Sequence, residues 1–306
     1  MTIIKKEVVD DVTIYTVDKD IDDSRAENLG NQFVSPSMIN FIIRDHDADV
    51  YAADGKLLLR FRKNALSKVH ATEFYDNVIG FAMNSTQNRG STTGSKSKNV
   101  YDNPKVMSNI VGFFDRFPPN YKASFKKAGV KQPLEVRECR FNRDHPDKFK
   151  KMIPLVKEIN ELYKEYAPEH FVKQNKKAKQ THFKIPGTAF TTITTNVNFK
   201  TSIHKDKGDD AEGFGNLAVI ENGKYEGAET CFPQYGLGVD VRTGDMLFMD
   251  VHEWHGNLPM KPLEKDAKRL SIVCYLRYKI WLRTKNKTRR FYDKHNRTMR
   301  KLTKIG

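Results

Sequence analysis

A switch in hydrophobic periodicity near Pro186-Gly187 constrains this chain more than any other feature. Upstream, Phe149, Met152, Ile153, Val156, Ile159, Leu162, Tyr163 and Tyr166 recur at intervals of three and four. That spacing places side chains on one face of an α-helix. It predicts a helix over Pro146–Tyr166, with Asp144 as its cap and Pro146 in its first turn. Pro154 is expected either to kink this helix or to move its start downstream. A basic connector over 173–179 then leads to Pro186-Gly187, and beyond it the pattern alternates. The runs 190–195, 216–220, 238–241, 246–249 and 270–276 are short and rich in β-formers, with turn residues such as Thr243-Gly244-Asp245 between them. Short strands without intervening helices read as a sandwich or barrel, not as alternating β/α units.

The first 80 residues look like mixed α and β material, with strand-like runs at 12–17 and 57–61 and a hairpin turn at Ala53-Asp54-Gly55. The expected organisation has three parts. Residues 1–180 form an α+β region that packs on the core, and 181–278 form the β-rich core. Residues 279–306 form a basic C-terminal tail. The segment 84–103 turns polar, and Arg89, Lys96 and Lys98 stand among its Gly, Ser and Thr residues, so it reads as a mobile loop offering contacts to phosphate. It lacks the Gly-Lys-Ser/Thr ending of a nucleotide-binding P-loop.

Charge is distributed unevenly. Of the formal +15, the stretch from Arg277 to Gly306 carries +11, through twelve Lys/Arg and one acid, and the rest of the chain only +4. A polycationic arm favours nucleic acid through counterion release. Arg283, Arg289 and Arg290 are its candidate contacts, and Trp281, Phe291 and Tyr292 are aromatics able to pack on the body or stack on bases. No apolar run approaches the roughly 20 residues needed to span a bilayer, and the first 20 residues lack the apolar stretch of a secretory signal. The three cysteines, Cys139, Cys231 and Cys274, lack metal-knuckle spacing and read as buried reduced thiols of an intracellular protein, cytoplasmic or nuclear.

Nine histidines make chance pairings a concern. His145-Pro146-Asp147 spells His-x-Asp, but it sits where a helix begins. His204-Lys205-Asp206 follows a β-rich run, where alternation would point His204 and Asp206 to one side. A second histidine downstream, His255 in preference to His252, completes two imidazoles and a carboxylate. That is the ligand set of non-haem Fe(II) oxygenases. Zinc accepts the same set, but it leaves Arg269 unexplained. Arg269 opens a strand on which Ser271, Val273 and Tyr275 share its face. A guanidinium inside a barrel is costly without an anion. A dicarboxylate such as 2-oxoglutarate would supply one, through two parallel hydrogen bonds.

Several longer strings carry a family resemblance. They are Phe-Thr-Thr-Ile-Thr-Thr-Asn from Phe190, His-Lys-Asp-Lys-Gly-Asp from His204, and Gly-Phe-Gly-Asn-Leu from Gly213. Two more are Gly-Asp-Met-Leu-Phe-Met-Asp-Val-His-Glu-Trp-His-Gly-Asn-Leu-Pro from Gly244 and Arg-Leu-Ser-Ile-Val-Cys-Tyr-Leu-Arg from Arg269. Over about residues 185–280 the chain resembles the TET/JBP dioxygenases, most closely the J-binding-protein branch and related viral and microbial members. The resemblance implies a double-stranded β-helix core with His204, Asp206 and His255 on one face of Fe(II). It also implies 2-oxoglutarate as co-substrate, held by Arg269 and Ser271, with O2 as oxidant. The implied reaction is hydroxylation of the 5-methyl group of thymine or 5-methylcytosine in nucleic acid, DNA ahead of RNA, with the base flipped or single-stranded. No protein partner is expected, and a virus or phage is one conceivable source. Two other classes stay open: a hydroxylase of a protein side chain or small molecule on the same iron site, and a catalytically inactive nucleic-acid-binding protein.

Overall fold

The computed structural model describes residues 2–303; Met1 and the last three residues of the expected tail lie outside the described residues. The N-terminal part contributes β1 (Thr2–Val9), β2 (Val12–Asp18), α1 (Asp23–Ala26), β3 (Phe41–Ile43), β4 (Ala48–Ala52), β5 (Leu57–Arg62) and α2 (Lys68–Ala82). The middle contributes β6 (Ser108–Phe114), α3 (Pro119–Lys127), β7 (Arg137–Glu138), α4 (Arg140–Asp144), α5 (Pro146–Tyr166) and α6 (Pro168–Ala178). After it come β8 (Thr192–Val197), β9 (Gly215–Asn222), β10 (Tyr225–Gly227), β11 (Thr230–Phe232) and β12 (Leu237–Val239). The chain closes with β13 (Met246–Met249), β14 (Gly256–Asn257), β15 (Met260–Pro262), β16 (Lys268–Tyr275), α7 (Tyr278–Thr284) and α8 (Arg289–Thr303).

The strands form a ten-stranded mixed sheet in the order β1-β2-β4-β5-β13-β9-β16-β8-β6-β7, and a four-stranded sheet, β14-β11-β12-β3. Together they make a jelly-roll-like core. The N-terminal strands are not a separate layer: β5 pairs antiparallel with β13, so they extend the large sheet directly. Helices α2, α5 and α6 cover the outer face of that sheet.

Side-chain parity divides each central strand between the two interiors. On β16, Leu270, Ile272 and Cys274 join the helix-side core. On β9, Ala218 and Ile220 face the helices, whereas Leu217 and Val219 face the smaller sheet. Met246 and Phe248 of β13 divide from Leu247 and Met249 in the same way. A period of two on a sheet covered on both faces produces this split. Tyr163 of α5 anchors the helix layer, with its ring stacked on Phe248 at 6.1 Å and its hydroxyl accepting from the Phe214 N–H at 2.9 Å.

The helix expected over Pro146–Tyr166 is present with those bounds and runs unbroken through Pro154. Asp144 does not cap it. The N-cap position belongs to His145 without a side-chain bond, and the Asp144 carboxylate is drawn to the Arg143 guanidinium instead, at 2.6 Å. His145 itself packs beside Phe81 and Phe141. The three cysteines are buried and unpaired. No described helix is long and apolar enough to cross a membrane.

Candidate active site

The chain around His204 and the chain around His255 meet as a two-residue antiparallel bridge. The His204 N–H donates to the His255 carbonyl at 2.8 Å, and the His255 N–H returns the bond at 3.0 Å. The two imidazole centroids are 4.4 Å apart as a result. Asp206 does not continue a regular strand, as the alternation argument expected. Its N–H donates to the Val251 carbonyl at 2.9 Å, and this turn brings its carboxylate under both rings. Lys205 turns away and lies over the Trp254 ring at 4.9 Å.

The Asp206 carboxylate is 3.6 Å from His204 Nε2 and 3.8 Å from His255 Nε2. One donor atom from each of the three residues lies within 4.8 Å of the others. The far ring nitrogens fix the tautomers. His204 Nδ1 faces the Ser202 carbonyl at 2.7 Å, and His255 Nδ1 faces the Glu253 carbonyl at 2.9 Å. A carbonyl only accepts, so each Nδ1 carries a proton and each Nε2 faces Asp206. Burial, then the neighbouring His204, pull the His255 pKa down to about 4, which keeps its ring neutral. Two imidazoles held by Nδ1 with both Nε2 atoms beside one carboxylate fit a divalent metal.

His252 stands outside this group. Its Nδ1 bonds Asp250 at 3.1 Å, and that hydrogen bond raises its pKa. Asp250 is also paired with Lys56 at 2.6 Å. This neighbouring ion network holds His252 away from the cluster that His255 joins.

The three residues open onto a cavity of about 170 Å³ between the two sheets. Arg269, Ser271, Val273 and Tyr275 of β16 all line it, as their shared parity requires. Arg269 is only 7% exposed, and its Nε is buried without a hydrogen-bond partner. The hydroxyl of Tyr225 is also buried and unpartnered. Burial lowers the Arg269 pKa, with the Tyr225 hydroxyl opposing the effect. A buried guanidinium that lines the cavity with its Nε unpartnered fits an incoming carboxylate.

A model of the oxygenase domain of the 2OGFeDO superfamily, Tet_JBP, matches residues 121–278, just over half of the chain. The chain belongs to the TET/JBP oxygenase family. It is 30% identical over 209 residues to thymine dioxygenase JBP1 of Trypanosoma brucei brucei, covering 68% of this chain and 22% of that protein. It is 35% identical over 170 residues to the bifunctional helicase and thymine dioxygenase JBP2 of Leishmania braziliensis, covering 55% of this chain and 14% of that protein. The chain thus spans less than a quarter of the length of either relative. The solved structure of NgTET1 in complex with 5mC DNA shares the fold, with a TM-score of 0.51 at 13% identity, covering 79% of this chain and 83% of that one.

Within this TET/JBP domain, the basic residues singled out from sequence go to different places. Arg89 lines the cavity, with Nη2 buried and unpartnered. Burial lowers its pKa, while Tyr275 and Asp206 oppose that shift. The segment expected to be a mobile loop is folded into 3-10 turns at Gly90–Thr93 and Val100–Asp102. It is pinned to the core, because the Ser202 N–H donates to the Thr92 carbonyl at 2.9 Å and the Ser202 hydroxyl to the Ser91 carbonyl at 2.6 Å. Lys96 and Lys98 remain exposed on it.

The tail is likewise a packed element, not a free arm. In α8, His295, Asn296 and Met299 are buried against the body. Arg283 is half-buried and donates to the carbonyls of Asp115 and Glu135, both at 2.6 Å. Arg289 pairs with Asp293 at 3.2 Å, and Arg290 is exposed.

Among the cavity residues that the sequence did not single out, Arg277 and Asp209 carry charge. Arg277 extends the alternation of β16 by one more step, so carrying the odd positions past Tyr275 would have found it. Its guanidinium bonds Asp115 at 2.6 Å and lies over Phe114 at 4.5 Å. A Cβ on Gly208 would meet that guanidinium at 2.7 Å, which accounts for glycine there. Asp209 lies beside it, and burial together with Asp206 pushes its carboxyl well above the ordinary range. No local pattern announces Asp209.

Proposed function

We propose that this chain is a Fe(II)/2-oxoglutarate-dependent dioxygenase that hydroxylates the 5-methyl group of a pyrimidine in DNA, with thymine the first substrate to test. One observation carries the reading: a cluster of two imidazoles and a carboxylate opens onto the same cavity as the buried Arg269, whose Nε has no hydrogen-bond partner. His204, Asp206 and His255 would hold the metal. Arg269, with Ser271 beside it on the same strand face, would receive the far carboxylate of 2-oxoglutarate, and the Tyr225 hydroxyl would support the guanidinium from behind.

Bound Fe(II), 2-oxoglutarate and O2 would together supply the oxidising power, yielding succinate and CO2. The chain's own residues orient and exclude. Leu217, Met249 and Val273 give the cavity apolar walls between the polar groups. Such walls limit water at the reacting centre. Asn196, Tyr275 and Arg277 also line it, and they offer hydrogen bonds to the edge of a base. A methyl group inside a stacked duplex cannot reach this depth, so the base must leave the stack. The JBP1 and JBP2 relatives are thymine dioxygenases, which supports thymine ahead of 5-methylcytosine. The exposed Lys96, Lys98 and Arg290 are suited to phosphate contact; Arg283 is engaged internally and is a weaker candidate.

Mass analysis of nucleosides from DNA incubated with protein, Fe(II), 2-oxoglutarate and O2 tests the reading. 5-Hydroxymethyluracil is the expected product. Absence of both this base and 5-hydroxymethylcytosine on single- and double-stranded DNA would overturn the substrate class.

A further inference from the structure

The surface next to the cavity has a composition that the iron site does not use. α7 begins at Tyr278, directly after Arg277, and the Tyr278 N–H donates to the Gly208 carbonyl at 3.1 Å. The helix start is thereby tied to the loop that carries Asp206 and Asp209. Ile280 and Thr284 form the buried side of α7. Its outward side is not the polar surface expected of a solvent-facing helix. Tyr278 is 41% exposed and Leu282, one turn on, is 47% exposed. Trp281 sits between them, its ring 5.3 Å from that of Tyr278.

Lysines frame this strip. Lys285 lies over the Trp281 ring at 4.7 Å, and Lys177 lies over it at 5.7 Å. Lys177 is already matched by Asp210 and by Glu212. Among the described residues no ion pair engages Lys207, Lys279 or Lys285, and Lys207 and Lys279 are exposed.

We propose that Tyr278 and Leu282, with Lys279 and Lys285, form the docking surface for the nucleotide that flanks the target base. The inference rests on the nucleic-acid reading above. Apolar ring faces set among unmatched cations suit a polyanion that carries its own ring faces, because stacking and phosphate attraction then act together. Position supports the same occupant. Tyr278 directly follows the cavity-lining Arg277 and is tied by its N–H to Gly208, beside Asp206 and Asp209 of the same cavity, so a nucleotide next to a base held there is within reach of its ring.

The test uses the full chain and a fluorescein-labelled, thymine-containing oligonucleotide, single- and double-stranded, with 2-aminopurine beside the target in a parallel probe. Tyr278→Ala should weaken binding about tenfold and remove the stacking-induced quench of 2-aminopurine. Tyr278→Phe should keep both, since the ring and not the hydroxyl acts. Leu282→Ala should weaken binding to a smaller degree. Lys279→Gln with Lys285→Gln should lower the slope of log affinity against log salt by about 1–2.

In every variant the Fe(II)/2-oxoglutarate absorption band should persist, which separates docking from a disturbed fold. Wild-type affinity and quench in Tyr278→Ala, or equal losses in Tyr278→Phe, would overturn the inference while leaving the enzyme reading intact. Wild-type protein that neither binds nor oxidises DNA would overturn the enzyme reading and this inference with it.

Discussion

His204 and His255 are joined backbone to backbone in both directions, at 2.8 and 3.0 Å. Two imidazoles proposed as metal ligands, more than fifty residues apart in sequence, are therefore held together by amide hydrogen bonds alone. Such preorganisation lowers the ordering cost of binding, because the chain need not gather its imidazoles around the ion.

The first expectation concerns this cluster. His204→Ala and Asp206→Ala should each abolish the weak visible band that forms anaerobically with Fe(II) and 2-oxoglutarate, with little change in melting temperature. Unchanged succinate release in Asp206→Ala would remove that residue from the ligand set.

Asn257 supports the bridge from behind. Its Oδ1 accepts from the Thr201 N–H at 2.8 Å and the Thr201 hydroxyl at 2.6 Å, tying the segment after His255 to the segment before His204. Groups that hydrogen-bond a metal ligand directly are worth about 10- to 100-fold in affinity. Asn257 ties the two segments without touching either imidazole, so Asn257→Ala should weaken Fe(II) binding by less than about 10-fold in a competition titration.

Arg269→Lys keeps the charge but loses the planar fork that grips a carboxylate through two bonds. Charge-assisted hydrogen bonds contribute about 1.5–3 kcal/mol. The KM for 2-oxoglutarate should therefore rise about 10- to 100-fold, while Fe(II) binding is retained. A KM within twofold of wild type would show that another group holds the co-substrate.

Stability should depend on pH through His295. Burial lowers its pKa below the ordinary 6.5, against the hydrogen bond from Nε2–H to the Val136 carbonyl. The unfolded chain then takes up a proton before the folded one does, so this contribution is full above pH 6.5 and is lost as pH falls through the lower folded value. His295→Gln, which does not titrate, should flatten that part of the denaturation-midpoint profile. An unaltered profile would assign the loss to other groups.

Gly112 takes a φ of +90°, and a Cβ there would meet the Thr191 carbonyl oxygen at 2.6 Å. The backbone conformation alone costs a larger residue about 1–3 kcal/mol. Gly112→Ala should lower the melting temperature by several degrees on calorimetry.

Local patterning made the site's chemistry legible. The alternation from Arg269 to Tyr275 specified which β16 side chains enter the cavity, and the α5 stripe specified its buried face, because both signals repeat along a single element. Partnerships between distant segments were not legible. That β5 would extend the large sheet beside β13, or that β3 would pair parallel with β12, depends on contacts with no local sequence mark. The segment 84–103 misled for a related reason. Its Gly, Ser and Thr residues read as a solvated loop, but their backbone groups pair with Ser202 and carry Arg89 inward. The C-terminal tail is helical, and Phe291 and Tyr292 pack on the body, one of the two roles open to them from sequence, but composition does not record that His295 and Met299 turn inward.

The two-sided division of β16 has a consequence for how this domain can diversify. Odd positions line the cavity and even positions meet the helix layer, so the strand offers two separable tracks for mutation. Exchanges at Val273 or Tyr275 can reshape what the cavity admits while Leu270, Ile272 and Cys274 keep the helices seated. Substrate preference can drift on one track while the scaffold is conserved on the other. A single-residue insertion would exchange the two tracks and destroy both properties at once.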